Sequence, residues 1–188
     1  MTLTMKRRLI ILLAALPLAA IALHGQDYYS GKDTVRTSTA SYKVIHYDDY
    51  ISVQNVNNVR MLSFQYDTKT GELLSMAQTG FPRADPDKAM FAEILKEVFT
   101  EEEIARYSQN GNNGMGMYFV IEPKTGKTLE VEFELNNSPH NHNPILLSIP
   151  VCKLERLETL MKEKLIWKTP HSDCWKNVSD IRAPYGYF

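Results

Sequence analysis

Hydrophobic positions in the first half of the chain alternate in a way that predicts strand pairs. Residues 42–46 and 50–54 are rich in aromatic and β-branched side chains and are separated by two aspartates, which is typical of adjacent strands. Residues 59–66 and 72–76 flank an Asp-Thr-Lys-Thr-Gly turn in which Gly71 is able to adopt a positive φ. We therefore expect two hairpins in this half of the chain.

The second half carries the clearest strand signal. Residues 117–121 are apolar throughout, as in a central strand, and a turn that ends at Gly126 follows them. From residue 129 to residue 135, apolar side chains alternate with carboxylates. We expect the apolar side chains to pack on a core and the carboxylates, Glu130, Glu132 and Glu134, to lie on a face that is exposed to water.

Helical spacing marks three further segments. Asp85 is a suitable N-cap, and Pro86 fits the first position of a helix, whose N–H has no helical partner. Thr100 and Glu103 have the spacing of a capping box and predict a short second helix through residue 107. Pro150 opens the longest predicted helix, which extends to about residue 167. The apolar residues expected to line the buried sides of the first and third helices are Phe91, Ile94, Leu95, Val98, Leu154, Leu157, Met161 and Leu165.

The order of these elements predicts an α+β fold, with antiparallel strands and with helices on one face of the sheet. Residues 66–74 and 121–129 also share a Lys-Thr-Gly turn and a leucine three positions after the glycine. This similarity suggests two tandem strand-strand-helix units, residues 59–107 and 117–167. The alternative is that a common hairpin turn occurs twice by chance.

The N-terminal residues have the pattern of a secretory signal peptide. Lys6, Arg7 and Arg8 precede an apolar run over residues 9–23, and a short polar segment follows. The run is shorter than the roughly 20 residues that a membrane-spanning helix needs, and it is interrupted by Pro17. We therefore expect export and cleavage, with a retained membrane anchor as the alternative.

Cleavage is expected near Gln26. The predicted organisation of the whole chain has three parts. Residues 1–25 form the signal peptide, residues 26–41 a polar and flexible lead-in, and residues 42–188 a single α+β domain. After processing, the protein is expected to be periplasmic or secreted and to have no stable membrane span.

Charge excludes one class of partner. The whole chain has 21 basic and 22 acidic residues and a net charge of −1. The signal peptide contains three basic residues and no acidic one, so the processed chain has a net charge of about −4. Nucleic-acid binders normally have a strongly basic surface, so we expect no nucleic acid among the partners.

One disulfide is predicted for the exported chain, and one threonine is a candidate for glycosylation. Cys152 and Cys174 are its two cysteines, and an oxidising compartment favours one disulfide between them. The alternative is a small, buried Cys152 and an unrelated Cys174. Asp33-Thr34-Val35 resembles the Asp-Thr-aliphatic acceptor of a bacterial O-glycosylation system, which makes Thr34 a candidate glycosylation site. The alternative there is an ordinary polar tail.

The sequence indicates no catalytic residue, no cofactor-binding residue and no cofactor. His140 and His142 are spaced for a zinc site, with His171 or Asp173 as a third ligand, but nearby prolines and asparagines favour an ordinary surface loop. We therefore predict no metal site. Tyrosines crowd residues 28–50, and they fit either a recognition surface or a small β-rich core.

From residue 117 on, the sequence resembles the C-terminal domain of TonB-type energy transducers. The matching features are the hairpin around Gly126, apolar residues 145–149, the helix that contains Leu154, and Trp167-Lys168-Thr169-Pro170. The resemblance implies a periplasmic domain that binds a segment of an outer-membrane protein by adding a strand to its sheet. The whole chain also resembles small secreted proteins of unknown function from gut-type anaerobic Gram-negative bacteria.

These expectations lead to three functional hypotheses. The first is an exported, non-enzymatic binding module of the cell envelope, whose partner is an envelope protein or a glycan and which acts by strand addition or through an aromatic surface. The second is an envelope enzyme or enzyme inhibitor with a histidine-containing pocket. The third is an anchored TonB-like transducer, which requires an uncleaved leader and lacks the proline-rich spacer of that family.

Overall fold

Six strands form one antiparallel sheet in the computed structural model. The structure describes residues 27–74, 84–108, 114–137, 145–168 and 178–185. The sheet consists of β1 (Thr34–Arg36), β2 (Ser41–His46), β3 (Tyr50–Asn55), β5 (Met115–Ile121), β6 (Thr128–Asn136) and β8 (Ile181–Tyr185). The strand order is β1-β2-β3-β6-β5-β8, and every neighbouring pair is antiparallel. The other described elements are β4 (Asp85–Pro86) paired with β7 (Trp167–Lys168), α1 (Lys88–Val98), α2 (Glu101–Tyr107), α3 (Val151–Lys164) and a 3-10 turn at Leu146–Ser148. The predicted α+β class is confirmed.

The helices pack on one face of the sheet, which we call the core face. α3 packs on β6, and α1 packs on α3, so both helices contribute to a single core. Ile94, Leu154 and Met161 are buried there, as the helical spacing predicts, whereas Val98 is only partly buried. Burial of one such side chain contributes roughly 1.5–3 kcal/mol. The strand residues that complete the core include Tyr42, Val44, Ile51, Val53, Met115, Met117, Phe119, Ile121, Val131, Phe133 and Leu135.

Residues 27–41 belong to the folded domain, so the prediction of a flexible lead-in over residues 26–41 is wrong for this part. The side chain of Tyr29 is fully buried, and its hydroxyl donates to the carbonyl oxygen of Ile149 over 2.7 Å. β1 pairs with β2 and buries Val35. The polar composition of the segment conceals these two anchors, whose burial offsets the entropy lost in ordering the chain around them.

The two Lys-Thr-Gly turns have the same backbone geometry but different flanks. The φ angle is +74° at Gly71 and +71° at Gly126, as the turn sequence predicts. In each turn the glycine N–H donates to the carbonyl oxygen four residues earlier, over 2.8 and 2.9 Å respectively. The Gly126 turn joins β5 to β6, whereas the described flanks of the Gly71 turn are joined by a single bridge, between Tyr66 and Leu73, and Asp67 forms a further bridge with Val178. Residues 60–63 form a turn, closed by a hydrogen bond from the Ser63 N–H to the carbonyl oxygen of Arg60, instead of part of the predicted strand. Duplication of residues 59–107 and 117–167 stays a prediction.

The helix boundaries differ from the prediction by a few residues. The N-cap of α1 is Asp87 and not Asp85, and its carboxylate accepts hydrogen bonds from two backbone N–H groups of the first turn. The helix starts later because Asp85 and Pro86 pair with β7. The capping box of α2 is confirmed. α3 ends at Lys164, because the chain continues into β7 instead of a further helical turn.

Candidate functional site

The carboxylates of β6 lie on the sheet face opposite the core, but they are not solvated as predicted. Glu130 is 6% exposed, and its two carboxylate oxygens accept hydrogen bonds from the backbone N–H groups of Arg60 and Met61, each over 2.8 Å. Glu132 and Glu134 are half-buried. The expected water-exposed row is therefore wrong. One cause of the burial of Glu130 is that residues 58–66 run past β6 to β8. No pattern within β6 itself indicates this crossing segment.

Side chains of the sheet hold this crossing segment in place. Arg182 of β8 donates to the carbonyl oxygens of Arg60 and Met61 over 2.7 and 3.2 Å, and also to that of Ser63. Glu130 and Arg182 thus satisfy backbone groups of Arg60, Met61 and Ser63 that a neighbouring strand would otherwise have to satisfy. The large apolar side chains of the crossing segment are left in solvent, with Phe64 75% exposed.

Beside this segment lies a cluster that we call the polar face, formed by Tyr50, Ser52, Gln54, Tyr118, Glu132 and Glu134. The strand register places Gln54 and Tyr118 on either side of Glu132, and Ser52 and Gly116 on either side of Glu134. Cross-strand neighbours on one face of a sheet lie within contact distance. The hydroxyl of Ser52 also donates to Glu132, so the cluster is connected diagonally as well as across the strands.

Burial changes the acidity of the polar face. Burial, with a smaller effect from the negative charge of Glu132, raises the pKa of Glu134 to about 7. Burial also raises the pKa of Glu132, although the hydrogen bond from Ser52 acts in the opposite direction. Burial and then the charge of Glu134 raise the pKa of the Tyr50 phenol. Glu134 therefore exchanges its proton near neutral pH, where it is able to donate or to accept a hydrogen bond.

Gln54 contributes an unused hydrogen-bond donor to the polar face. Its side chain is 3% exposed, and its Nε2 atom has no hydrogen-bond partner. No other buried side-chain nitrogen or oxygen in the described parts of the chain is in this state. A buried donor without a partner costs about 1–3 kcal/mol, and native structures contain few of them. The face thus combines an unpaired donor with neighbouring acceptor carboxylates.

Tyrosines border the polar face. The rings of Tyr47 and Tyr50 are stacked, with centroids 4.5 Å apart and planes inclined by 21°. Tyr47 is 48% exposed and Tyr118 is 38% exposed. Tyr29 and Tyr42 are instead buried in the core. The tyrosine-rich N-terminal region therefore supplies both of the structures that its sequence allowed, a core and an exposed aromatic border.

A separate cleft of about 470 Å³ lies at the helical side of the domain. Its wall includes Arg106 together with Glu102 and Glu103, so charges of both signs are present. Glu103 is already paired with the ammonium group of Lys153, over 2.5 Å. The described side chains of this wall include no buried nitrogen or oxygen atom without a hydrogen-bond partner. We therefore place the candidate site at the polar face and not in the cleft.

The residues that the sequence singled out for modification or metal binding do not form a site in the described structure. Cys152 is exposed in the first turn of α3, so the alternative of a buried Cys152 is wrong. Cys174 lies outside the described residues, and the disulfide stays a prediction. Thr34 is exposed in β1, and its glycosylation also stays a prediction. Among the described residues, no group of three or more His, Cys, Asp or Glu side chains is placed to hold a metal ion. The candidate ligands outside the described residues are His140, His142, His171 and Asp173.

Two members of the site were missed by the sequence reasoning. Ser52 and Gln54 alternate with the buried Ile51 and Val53 in β3, which was a signal that they share a face. None of the described helices combines the length and the apolar composition of a membrane-spanning segment.

The fold has a counterpart among solved structures. The crystal structure of a DUF5043 family protein from Bacteroides uniformis ATCC 8492 is similar, with a TM-score of 0.63 and 18% sequence identity, and the similarity covers 87% of this chain and 88% of that one. The sequence matches no protein-family model and no curated protein. Bacteroides uniformis is a gut anaerobe, so this neighbour agrees with the resemblance to proteins of unknown function from such bacteria. At this level of identity, the similarity shows that the two proteins share a fold.

Proposed function

We propose that this protein is an exported, non-enzymatic binding module of the cell envelope and that the polar face holds its ligand. The observation that carries the proposal is the unpaired Nε2 of Gln54, which is buried beside Glu132 on the same sheet face. An unpaired buried donor lowers stability, and a ligand that supplies an acceptor would remove that cost. The signal-peptide pattern of residues 1–25 supports export to the periplasm or the cell exterior.

The edges of the sheet favour binding through a face. β1 is three residues long and offers few backbone groups to an added strand. β8 contains Pro184, which has no N–H to donate. Strand addition, the mode implied by the TonB resemblance, therefore has less support than recognition by side chains of the polar face.

Replacement of Gln54 separates binding from folding. In Gln54→Leu an apolar side chain of similar size replaces the unpaired amide, so the variant should be at least as stable as the wild type. Glu93→Gln, on the exposed side of α1, is the matched control. Each protein is expressed with its own leader, purified after export and immobilised, and separated envelope protein and polysaccharide fractions are passed over it.

We expect the wild type and Glu93→Gln to retain a component of one fraction and Gln54→Leu to lose it. Equal retention by all three proteins, or retention by none, would show that the polar face is not a binding site.

One observation favours an envelope enzyme as a second candidate. Glu132 and Glu134 are carboxyl groups two residues apart on one strand face, and Glu134 titrates near neutral pH. Acid–base catalysis uses pairs of carboxyl groups whose environments differ in this way. Cleavage of the retained component by the wild type, but not by Glu134→Gln, would establish this candidate in place of a pure binding module.

A further inference from the structure

We infer that the ligand of the polar face is a neutral saccharide, an assignment that rests on the function proposed above. The face offers the Nε2 of Gln54 as a donor and the carboxyl groups of Glu132 and Glu134 chiefly as acceptors. A hydroxyl group both donates and accepts hydrogen bonds. Neighbouring hydroxyl groups on one sugar ring present both functions side by side, so a single pyranose is able to satisfy this set.

Simple ions satisfy only part of the set. A metal ion or an ammonium group pairs with the carboxylates but offers no acceptor to the Nε2 of Gln54. A phosphate accepts from Nε2, but its charge is repelled by Glu132 and Glu134, and Lys43, on the other side of Gln54, offsets this repulsion only in part. The combination of an unused donor with adjacent carboxylates therefore favours a ligand that carries several hydroxyl groups and no charge.

The tyrosines complete the match with an apolar surface. One side of a pyranose ring is lined by C–H groups, which pack on an aromatic ring while the hydroxyl groups at the ring edge stay free to form hydrogen bonds. Tyr118 lies in register beside Glu132, and the stacked pair Tyr47 and Tyr50 lies at the β2–β3 end of the face. Tyr47 and Tyr118 are partly exposed, so a ligand is able to reach the border from solvent.

Charge separates neutral sugars from acidic ones. Glu132 and Glu134 occupy adjacent outward positions of β6, whereas Glu130 is covered by the crossing segment. Lys43 of β2 lies in register beside Gln54 and is a single cation against these two carboxyl groups. A uronic acid carboxylate in contact with Glu132 and Glu134 would therefore add an unfavourable like-charge contact that Lys43 offsets only in part. Acidic glycans should therefore bind more weakly than neutral glycans of the same length.

The test is isothermal titration of the exported, purified protein. The probes are neutral hexasaccharides of glucose, mannose, galactose, xylose and N-acetylglucosamine, together with hexagalacturonate as the acidic probe. We expect at least one neutral hexasaccharide to bind the wild type and Glu93→Gln equally. Gln54→Leu and Tyr118→Leu should bind it at least about tenfold more weakly, a factor that corresponds to about 1.4 kcal/mol. Circular dichroism of each variant confirms that it is folded.

The outcomes distinguish this inference from the proposed function. Absence of binding to every neutral hexasaccharide, equal binding by Gln54→Leu, or tighter binding of hexagalacturonate would overturn the saccharide assignment. If an envelope protein is nevertheless retained in a manner that depends on Gln54, the binding function stands and its ligand is a polypeptide. If Gln54→Leu changes neither glycan binding nor envelope retention, both proposals are wrong.

Discussion

Glu134→Gln should make the protein more stable at pH 8 and leave its stability at pH 4 unchanged. In the folded chain the pKa of Glu134 is about 7 instead of 4.5, chiefly because the group is buried. Between these values the folded chain holds a proton that the unfolded chain has released. The free energy of unfolding therefore falls as the pH rises from about 4.5 to about 7. Glutamine is uncharged at every pH, so the variant lacks this loss.

The size of the effect follows from the pKa and from solvent exposure. A pKa difference between 4.5 and about 7 is equivalent to about 3 kcal/mol of unfolding free energy. Because Glu134 is only half-buried, water and salt screen part of the interaction, and we halve the value to about 1.5 kcal/mol. Glu132 remains in the variant, so its own contribution cancels in the comparison. The titratable and charged residues that the register places on this side of the sheet, besides Glu134, are Arg36, Lys43, Tyr50, Tyr118, Glu130, Glu132 and Arg182.

Urea unfolding followed by tryptophan fluorescence measures these free energies, because Trp167 is buried in the core. The wild type, Glu134→Gln and the exposed control Glu93→Gln are compared at pH 4, 6 and 8. The gain of Glu134→Gln over the wild type should rise from about zero at pH 4 to about 1.5 kcal/mol at pH 8. Glu93→Gln should stay within about 0.5 kcal/mol of the wild type. A difference that does not change with pH, or a loss of stability at pH 8, would refute the argument from burial.

Gly126→Ala should destabilise the protein by more than about 3 kcal/mol, because a Cβ atom there would lie 2.2 Å from the carbonyl oxygen of Trp167. Gly71→Ala, with a similar φ and nothing within 4 Å, should cost only about 1 kcal/mol, and thermal melting compares the two. Tyr42→Phe should cost about 1–2 kcal/mol in urea unfolding, because the Tyr42 hydroxyl donates over 2.7 Å to the buried Glu158; Tyr66→Phe, at a largely exposed ring, is its control. The intact mass of the exported protein should correspond to a start near Gln26. It should be lower by two protons if Cys152 and Cys174 are bonded, and higher by the mass of a sugar if Thr34 is modified. A full-length mass in the inner-membrane fraction would instead support the anchored transducer.

Elements whose signal is local could be predicted from the sequence. The alternation of β6 and the helical stripes of α1 and α3 recur every few residues, and the capping box of α2 joins residues three positions apart. The pattern of residues 59–66 predicts a strand, whereas the structure has a turn at residues 60–63 and a single bridge at Tyr66. Their backbone partners, Glu130 and Arg182, come from distant parts of the chain, and such hydrogen bonds leave no periodic signal.

For the same reason, the sequence alone indicates only part of the candidate site. The three glutamates of β6 are evident as a row, and alternation alone assigned them to water. Their partial burial depends on the pairing of β3 with β6, which brings Ser52 to Glu132 across 80 residues of chain. Alternation in β3 indicates that Ser52 and Gln54 share a face, but it cannot indicate which strand lies beside them.

Gln54 and Glu134 both oppose folding, and they do so on adjacent strands of one sheet face. Gln54→Leu removes a buried donor without a partner, and Glu134→Gln removes a buried charge, so each replacement should raise stability near pH 8. Functional sites typically contain residues that lower the stability of the fold and that another residue of similar size could replace with a gain in stability. If both variants gain stability and lose the ligand, the polar face has its composition because of binding. If both gain stability and still bind, the burial of these groups is a by-product of packing, and the ligand lies elsewhere on the domain.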